Sequence, residues 1–136
     1  MALAGLAGCS APQVVTRPDT DADRIERHFD ALNAAGRQSS EAQDEFLRDS
    51  QHPDFTDRLC ELDGRTLDVY PALSTIRLDG DWAPEGGDPP SGSVYVVSVS
   101  TTIRQAGALV GEQIGAEHVA VLDGETFGFS PCPQGT

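Results

Sequence analysis

The side chains best suited to proton transfer lie in the C-terminal half of the chain, around His118. An imidazole titrates near neutral pH, so His118 could act as a general base or bind a ligand. Tyr95 or Asp68 could work with it, and Asp68 with Tyr70, two residues further on, could form a proton-shuttling pair. We favour a structural interpretation, in which His118 is a core residue that accepts a hydrogen bond from the Tyr95 hydroxyl. Asp68 is better explained as a solvated surface residue.

Metal and cofactor motifs do not emerge from the sequence. His28 and His52 have no cysteine or histidine at the spacing of a zinc site. There is also no glycine-rich phosphate loop and no nucleophile elbow. We therefore expect no metal site and no cofactor.

The residues Leu6, Ala7, Gly8 and Cys9 resemble a bacterial lipobox, in which the cysteine sulfur receives a diacylglyceryl group carrying chains such as palmitate. This motif predicts lipidation of Cys9 in an exported protein. Residues 1–8 carry no charge, whereas an export signal has a basic start and about 7–15 apolar residues. We therefore expect residues 1–9 to be the remnant of a longer signal.

Acylation of Cys9 would leave two other cysteines in the chain. Cys60 and Cys132 then remain as a pair, which we expect to form a disulfide in an oxidising compartment. The alternative is two buried free thiols in a cytosolic protein.

Length and charge restrict the remaining possibilities. A chain of 136 residues corresponds to one domain. Its net charge of −13 repels phosphate backbones, which excludes nucleic acid as a partner. No stretch approaches the ~20 apolar residues of a spanning helix, so any membrane attachment is through lipid alone. We expect a flexible tether over residues 10–20, one α+β domain over residues 21–132, and a tail over residues 133–136.

A first helix is predicted over residues 21–35. Ile25, Phe29 and Leu32 recur at helical spacing and form one apolar stripe. Gly36 is expected to cap its C-terminal end.

A second helix is predicted over residues 40–49, because residues 40–43 fit the capping box. A short helical turn over residues 56–62 is expected to bury Leu59 and Cys60.

The rest of the chain predicts an antiparallel sheet. Residues 66–78 are extended, with a bulge or an edge position near Pro71. A proline- and glycine-rich loop covers residues 82–92. The remaining predicted strands cover residues 93–105, 108–122 and 125–130. They are joined by two-residue turns at Ala106-Gly107 and Asp123-Gly124.

These two turns fix a strand register, in which Tyr95 lies opposite His118 and Ala120 lies opposite Phe127. Such a register gathers most apolar residues on one face of the sheet, and a slip by one residue would scramble it. The predicted apolar face contains Tyr95, Val97, Val99, Ile103, Val110, Ile114, Ala116, His118, Ala120, Phe127 and Phe129. The opposite face carries Ser98, Ser100, Thr102, Gln113 and Glu117, with Val94, Val96 and Val119 as exceptions.

Two strand–turn–strand segments, residues 76–81 and residues 121–127, carry a resemblance to a known superfamily. Together with the leading helix and the positions of Cys60 and Cys132, they are similar to small actinobacterial exported lipoproteins. Those proteins belong to the nuclear-transport-factor-like superfamily, also called ketosteroid-isomerase-like or cystatin-like. The resemblance implies two or three N-terminal helices packed on a curved, cone-like, four-stranded antiparallel sheet.

The functional expectation combines these features. We expect a non-enzymatic lipoprotein on the outer side of the cell membrane, which binds a partner protein or a small apolar ligand through its concave sheet face. The alternative is an isomerase- or dehydratase-like enzyme that uses His118 with Tyr95 or Asp68 in a cone pocket. A cytosolic interaction domain is a third possibility if Cys9 is never acylated.

Overall fold

A computed structural model describes residues 19–130 of the chain, together with Gly5 and Gly8. The expected lipidation site Cys9, residues 10–18 of the expected tether, Cys132 and the tail over residues 133–136 lie outside the described residues.

The fold is α+β, as predicted: two helices pack against a curled, half-barrel antiparallel sheet. Helices α1 and α2 cover Asp21–Gln38 and Ser40–Asp49, and short 3-10 turns cover Pro53–Phe55 and Leu73–Thr75. The strands are β1 (Arg65–Pro71), β2 (Arg77–Leu78), β3 (Ser93–Gln105), β4 (Ala108–Leu122) and β5 (Glu125–Gly128). The sheet order is β1-β3-β4-β5, and the two-residue β2 also pairs with β3.

Helix α1 begins where the sequence predicts but ends later. Thr20 caps it in a reciprocal capping box with Asp23. The helix then continues through Gly36 to Gln38, so the predicted glycine cap is wrong. Glycine is needed there for packing, because a Cβ on Gly36 would lie 2.5 Å from Nε2 of Gln43.

Helix α2 has the predicted bounds, but Ser39 is its N-cap and the predicted capping box over residues 40–43 does not form. The Gln43 side chain is buried instead and bonds to the backbone of Leu67 and Leu32. Gln43 therefore makes a tertiary contact with β1 instead of capping its own helix.

The predicted helical turn over residues 56–62 is also wrong. Helical backbone occurs earlier, at Pro53–Phe55, where proline suits the first position of a turn. Leu59 is 40% exposed rather than buried, and Cys60 is partly buried.

The edge position near Pro71 is confirmed, but the segment over residues 66–78 is not extended throughout. Both β1 and β2 pair with β3, and the 3-10 turn Leu73–Thr75 interrupts them just after Pro71. The Trp82–Gly92 region forms no strand or helix, as predicted.

The predicted β3–β4 register is wrong, although its turn is correct. Ala106 and Gly107 both have positive φ, as a two-residue hairpin turn requires. Just beyond this turn, Arg104 pairs with Leu109 but the next residue of β3, Ile103, pairs with Gly111. Val110 is therefore an extra residue on β4, a β-bulge.

That one extra residue moves every later residue of β4 to the opposite face. Tyr95 lies opposite Val119, and His118 lies opposite Val96. The predicted single apolar face therefore splits, because Tyr95 and its β3 partners face the helices while His118 faces the other way. The β4–β5 register is as predicted, with Ala120 opposite Phe127.

The core lies between the concave face of the sheet and the helices. Ile25, Phe29 and Leu32 of α1 and Leu47 of α2 pack there against buried strand residues. The strand residues of this core are Leu67, Val69, Val97, Val99, Val119 and Val121. The convex face is covered near β5 by the segments that contain Phe55 and Trp82.

Candidate functional site

The site forms at a free edge of the sheet. Strand β4 pairs with β3 along its length, but β5 pairs only with residues 119–122 of β4. Among the described residues, the earlier part of β4 has no second strand partner. A pocket of about 450 Å³ opens beside this edge, and we call it the free-edge pocket. Its main lining residues are Phe55, Arg58, Trp82, Glu117, His118 and Phe129.

One wall of the free-edge pocket is aromatic, and the buried His52 supports it. The imidazole of His52 stacks on Phe129, with ring centroids 5.6 Å apart, and Phe55 meets Phe129 edge-on. The backbone N–H of Asp54 donates to Nδ1 of His52, so Nε2 carries the proton and donates to the carbonyl of Ser91 at 2.8 Å. This histidine is therefore a structural bridge between the segment after α2 and the start of β3.

His118 lies on the convex face in a stacked arrangement. Its ring is parallel to Trp82, with centroids 4.0 Å apart, and Nε2 lies 2.8 Å from the Asp79 carboxylate. The edge of Trp82 also contacts Phe129. His118 thus fixes the Trp82 loop on the sheet, and it contacts Asp79 rather than Tyr95.

Glu117 is the residue that sequence reasoning missed. The bulge places it on the concave face, opposite the buried Val97, instead of on the predicted polar face. Glu117 lines both the free-edge pocket and a narrow internal cavity of about 20 Å³ beside Leu32 and Leu47. Burial raises the pKa of Glu117 to about 7. A carboxyl of this kind can exchange a proton near neutral pH or contact a cation.

Arg58 is held by the loop that covers the pocket. Its guanidinium donates to the carbonyls of Glu85 and Gly86 and lies 5.5 Å from the centre of the Phe55 ring. It therefore positions the loop at the rim of the pocket.

The structure does not bring the other candidate residues to His118. The Tyr95 hydroxyl donates to the Asp21 carboxylate at the start of α1, and this bond raises the pKa of Tyr95 to about 12. Asp68 pairs with Arg104 at 3.6 Å, and it lies six residues further along the sheet than His118, a distance of roughly 20 Å. Tyr70 is 55% exposed.

His28 is also buried, against the helices and the end of β5. A Cβ on Gly128 would lie 3.2 Å from its Nε2, so glycine permits this contact. Desolvation lowers the pKa of His28 to about 4, which keeps the ring neutral at physiological pH.

No group of three or more histidine, cysteine or acidic side chains within residues 19–130 is arranged to hold a metal ion. None of the helices in that part of the chain combines the length and apolar character needed to cross a membrane.

In comparisons with known proteins, no family model, no curated protein and no solved structure matches this chain.

Proposed function

We propose that this protein is a non-enzymatic lipoprotein of the cell envelope that binds a small, largely apolar ligand in the free-edge pocket. The observation that carries the proposal is the pocket itself, about 450 Å³ in volume with Phe55, Trp82 and Phe129 in its walls. This volume is in the range of small-molecule sites, and apolar walls with a few polar groups are typical of them.

The free-edge pocket replaces the concave face as the ligand site in this proposal. Side chains of α1 and α2 fill the concave face, and the cavity left there is about 20 Å³. The enzymatic alternative loses support, because Tyr95 and His118 lie on opposite faces of the sheet and Asp68 is distant from both.

The ligand site is tested with N-phenyl-1-naphthylamine, a neutral probe whose fluorescence rises in apolar surroundings. We expect the full chain to bind the probe and Ala116→Trp to lose binding, because Ala116 lines the pocket. Ala108→Trp, an exposed position on the same strand, is the matched control and should bind normally. Equal binding by the wild type and Ala116→Trp, or no binding by either, would overturn the proposed site.

The second part of the proposal concerns the anchor. The lipobox-like residues 6–9 support acylation of Cys9 and a place on the outer face of an actinobacterial cell membrane. Two or more acyl chains would anchor the domain stably. Intact-mass spectrometry of the protein from its native host should show a diacylglyceryl adduct. A soluble, unmodified chain would refute the anchor without affecting the pocket.

A disulfide between Cys60 and Cys132 belongs to the same proposal. Its support is the position of Ser130, whose Oγ accepts from the Cys60 N–H at 3.1 Å and lies 3.3 Å from the Cys60 carbonyl. The described chain therefore ends beside Cys60, and Cys132 is only two residues further in sequence. Two residues span at most about 7 Å, comparable with the separation that a disulfide bridges.

Membership of the nuclear-transport-factor-like superfamily remains a proposal. Its support is the architecture, in which leading helices lie against a curled antiparallel sheet.

A further inference from the structure

We propose that the free-edge pocket selects a small organic cation, and that the Glu117 carboxylate is its anionic contact. This inference rests on the proposed ligand-binding function and adds the chemical class of the ligand. Three independent features of the molecule support it.

The first feature is the position of Glu117. The Val110 bulge places Glu117 on the inner side of β4, where the residue lines both the free-edge pocket and the narrow cavity behind it. Desolvation raises its pKa to about 7. A bound cation would supply a counter-charge and stabilise the ionised form.

The second feature is the aromatic wall. Phe55, Trp82 and Phe129 present π systems whose faces attract cations, and this attraction strengthens when the cation is desolvated. An aromatic wall with one carboxylate suits a quaternary or protonated amine better than a carboxylate or phosphate ligand.

The third feature is the field of the whole protein. A net charge of −13 raises the local concentration of cations and repels anions. The charged and titratable residues that line these two cavities with Glu117 are Arg58 and Glu85 from the covering segments, His118 on its own strand and His28 from α1. Arg58 is already bonded to loop carbonyls and His118 lies against Asp79.

The test uses two ligands of the same shape: choline, which carries a permanent positive charge, and 3,3-dimethylbutan-1-ol, its neutral isostere. Trp82 is the single tryptophan of the chain and lines the pocket, so its fluorescence reports binding of either probe. We expect choline to bind the full chain more tightly than the isostere. Its affinity should fall by about tenfold between pH 8 and pH 6, because binding needs ionised Glu117.

Two variants complete the design. Glu117→Gln should weaken choline binding by about tenfold or more, remove the pH dependence and leave isostere binding unchanged. Glu112→Gln removes an exposed carboxyl from the same strand and should behave like the wild type.

The outcomes separate this inference from the function on which it rests. If the isostere binds as tightly as choline, or if affinity rises at low pH, the pocket binds ligands but the cation assignment is wrong. If neither probe nor the naphthylamine binds, the proposed function fails as well.

Discussion

At the scale of single residues, the buried side-chain amides of Gln43 and Asn33 form the hydrogen bonds to β1 that a neighbouring strand would otherwise form. Gln43 Oε1 accepts from the Leu67 N–H at 2.7 Å, and its Nε2 donates to the carbonyls of Leu67 and Leu32. Asn33 makes the corresponding pair of bonds with Val69. The outer edge of β1 is thereby protected from pairing with another chain.

Gln43→Ala should destabilise the fold strongly. It leaves the N–H and the carbonyl of Leu67 without partners in a buried region, and each such group costs about 1–3 kcal/mol. We expect the free energy of unfolding in urea to fall by about 3 kcal/mol or more. Gln38→Ala, at the exposed end of α1, should change it by less than about 0.5 kcal/mol. A similar effect of the two substitutions would contradict this role.

Two titratable residues, the buried His28 and the partly buried Glu117, act in opposite directions on stability. The pKa of His28 is about 4 in the folded state against an ordinary 6.5, so stability from this residue falls as pH drops through that interval. The pKa of Glu117 is about 7 against an ordinary 4.5, so stability from this residue falls as pH rises through that interval. Between pH 4.5 and 6.5 the two effects largely cancel.

Replacing either residue should therefore make the effect of the other on the pH dependence of stability measurable. In Glu117→Gln the free energy of unfolding should rise with pH between 4.5 and 6.5, by about 1.4 kcal/mol per pH unit. In His28→Phe it should fall over the same interval. Urea titrations at several pH values measure both slopes, and Glu112→Gln is the control with the wild-type profile. A flat profile in Glu117→Gln would show that burial does not perturb His28.

At the scale of elements, the Val110 bulge decides which side chains reach the site. It lies near the tip of the β3–β4 hairpin, where Val110 is 53% exposed. Beyond it, Glu117 faces the helices and His118 faces the Trp82 loop. One extra residue at an exposed position thus determines the chemistry of a pocket several residues away.

Deleting Val110 should be tolerated, because Arg104–Leu109 and Ile103–Gly111 are already correct pairs and would become consecutive. We expect the free energy of unfolding in urea to change by less than about 1 kcal/mol. Deleting Val119, which is 1% exposed, should cost several times more, since it removes a core side chain and turns His118 towards the core. Equal losses of unfolding free energy from the two deletions would show that Val110 is not an extra residue in the strand.

The bulge also marks the limit of what the sequence could predict. Each hairpin turn contains a glycine that accepts positive φ, and the bounds of α2, β3 and β4 follow from local patterns. Val110 carries no such signal. The unexplained apolar residues of the predicted polar face, Val94, Val96 and Val119, were the available hint, since a shift on β4 alone moves Val119 into the core. Glu117 was missed for the same reason.

Long-range bonds explain the other differences. Gly36 and residues 40–43 satisfy local rules for a cap, but the Gln43 amide gains more from the backbone of β1 than from capping its own helix. Nothing in the local sequence specifies that partner.

At the scale of the whole molecule, the open side of the half-barrel is closed by the chain that follows α2. The Gly128 N–H donates to Ser50, and the His52 N–H donates to Gly128, so this segment continues the sheet beyond the short β5. Ser130 then bonds to Gln51 and to Cys60. Few backbone bonds hold this closure, and it borders the free-edge pocket.

The proposed disulfide would lock this closure covalently, which gives it a measurable contribution to stability. A bridge from Cys60 to Cys132 encloses every strand of the sheet, and the entropy of so long a loop corresponds to about 4 kcal/mol. Cys60→Ser and Cys132→Ser should each lower the free energy of unfolding by about this amount, and the double variant should lose no more than either single variant. Cys9→Ser should have no effect on the same urea transition. Wild-type protein should lose the same stability on reduction, and insensitivity to reductant would mean that the end of the sheet is held by its hydrogen bonds alone.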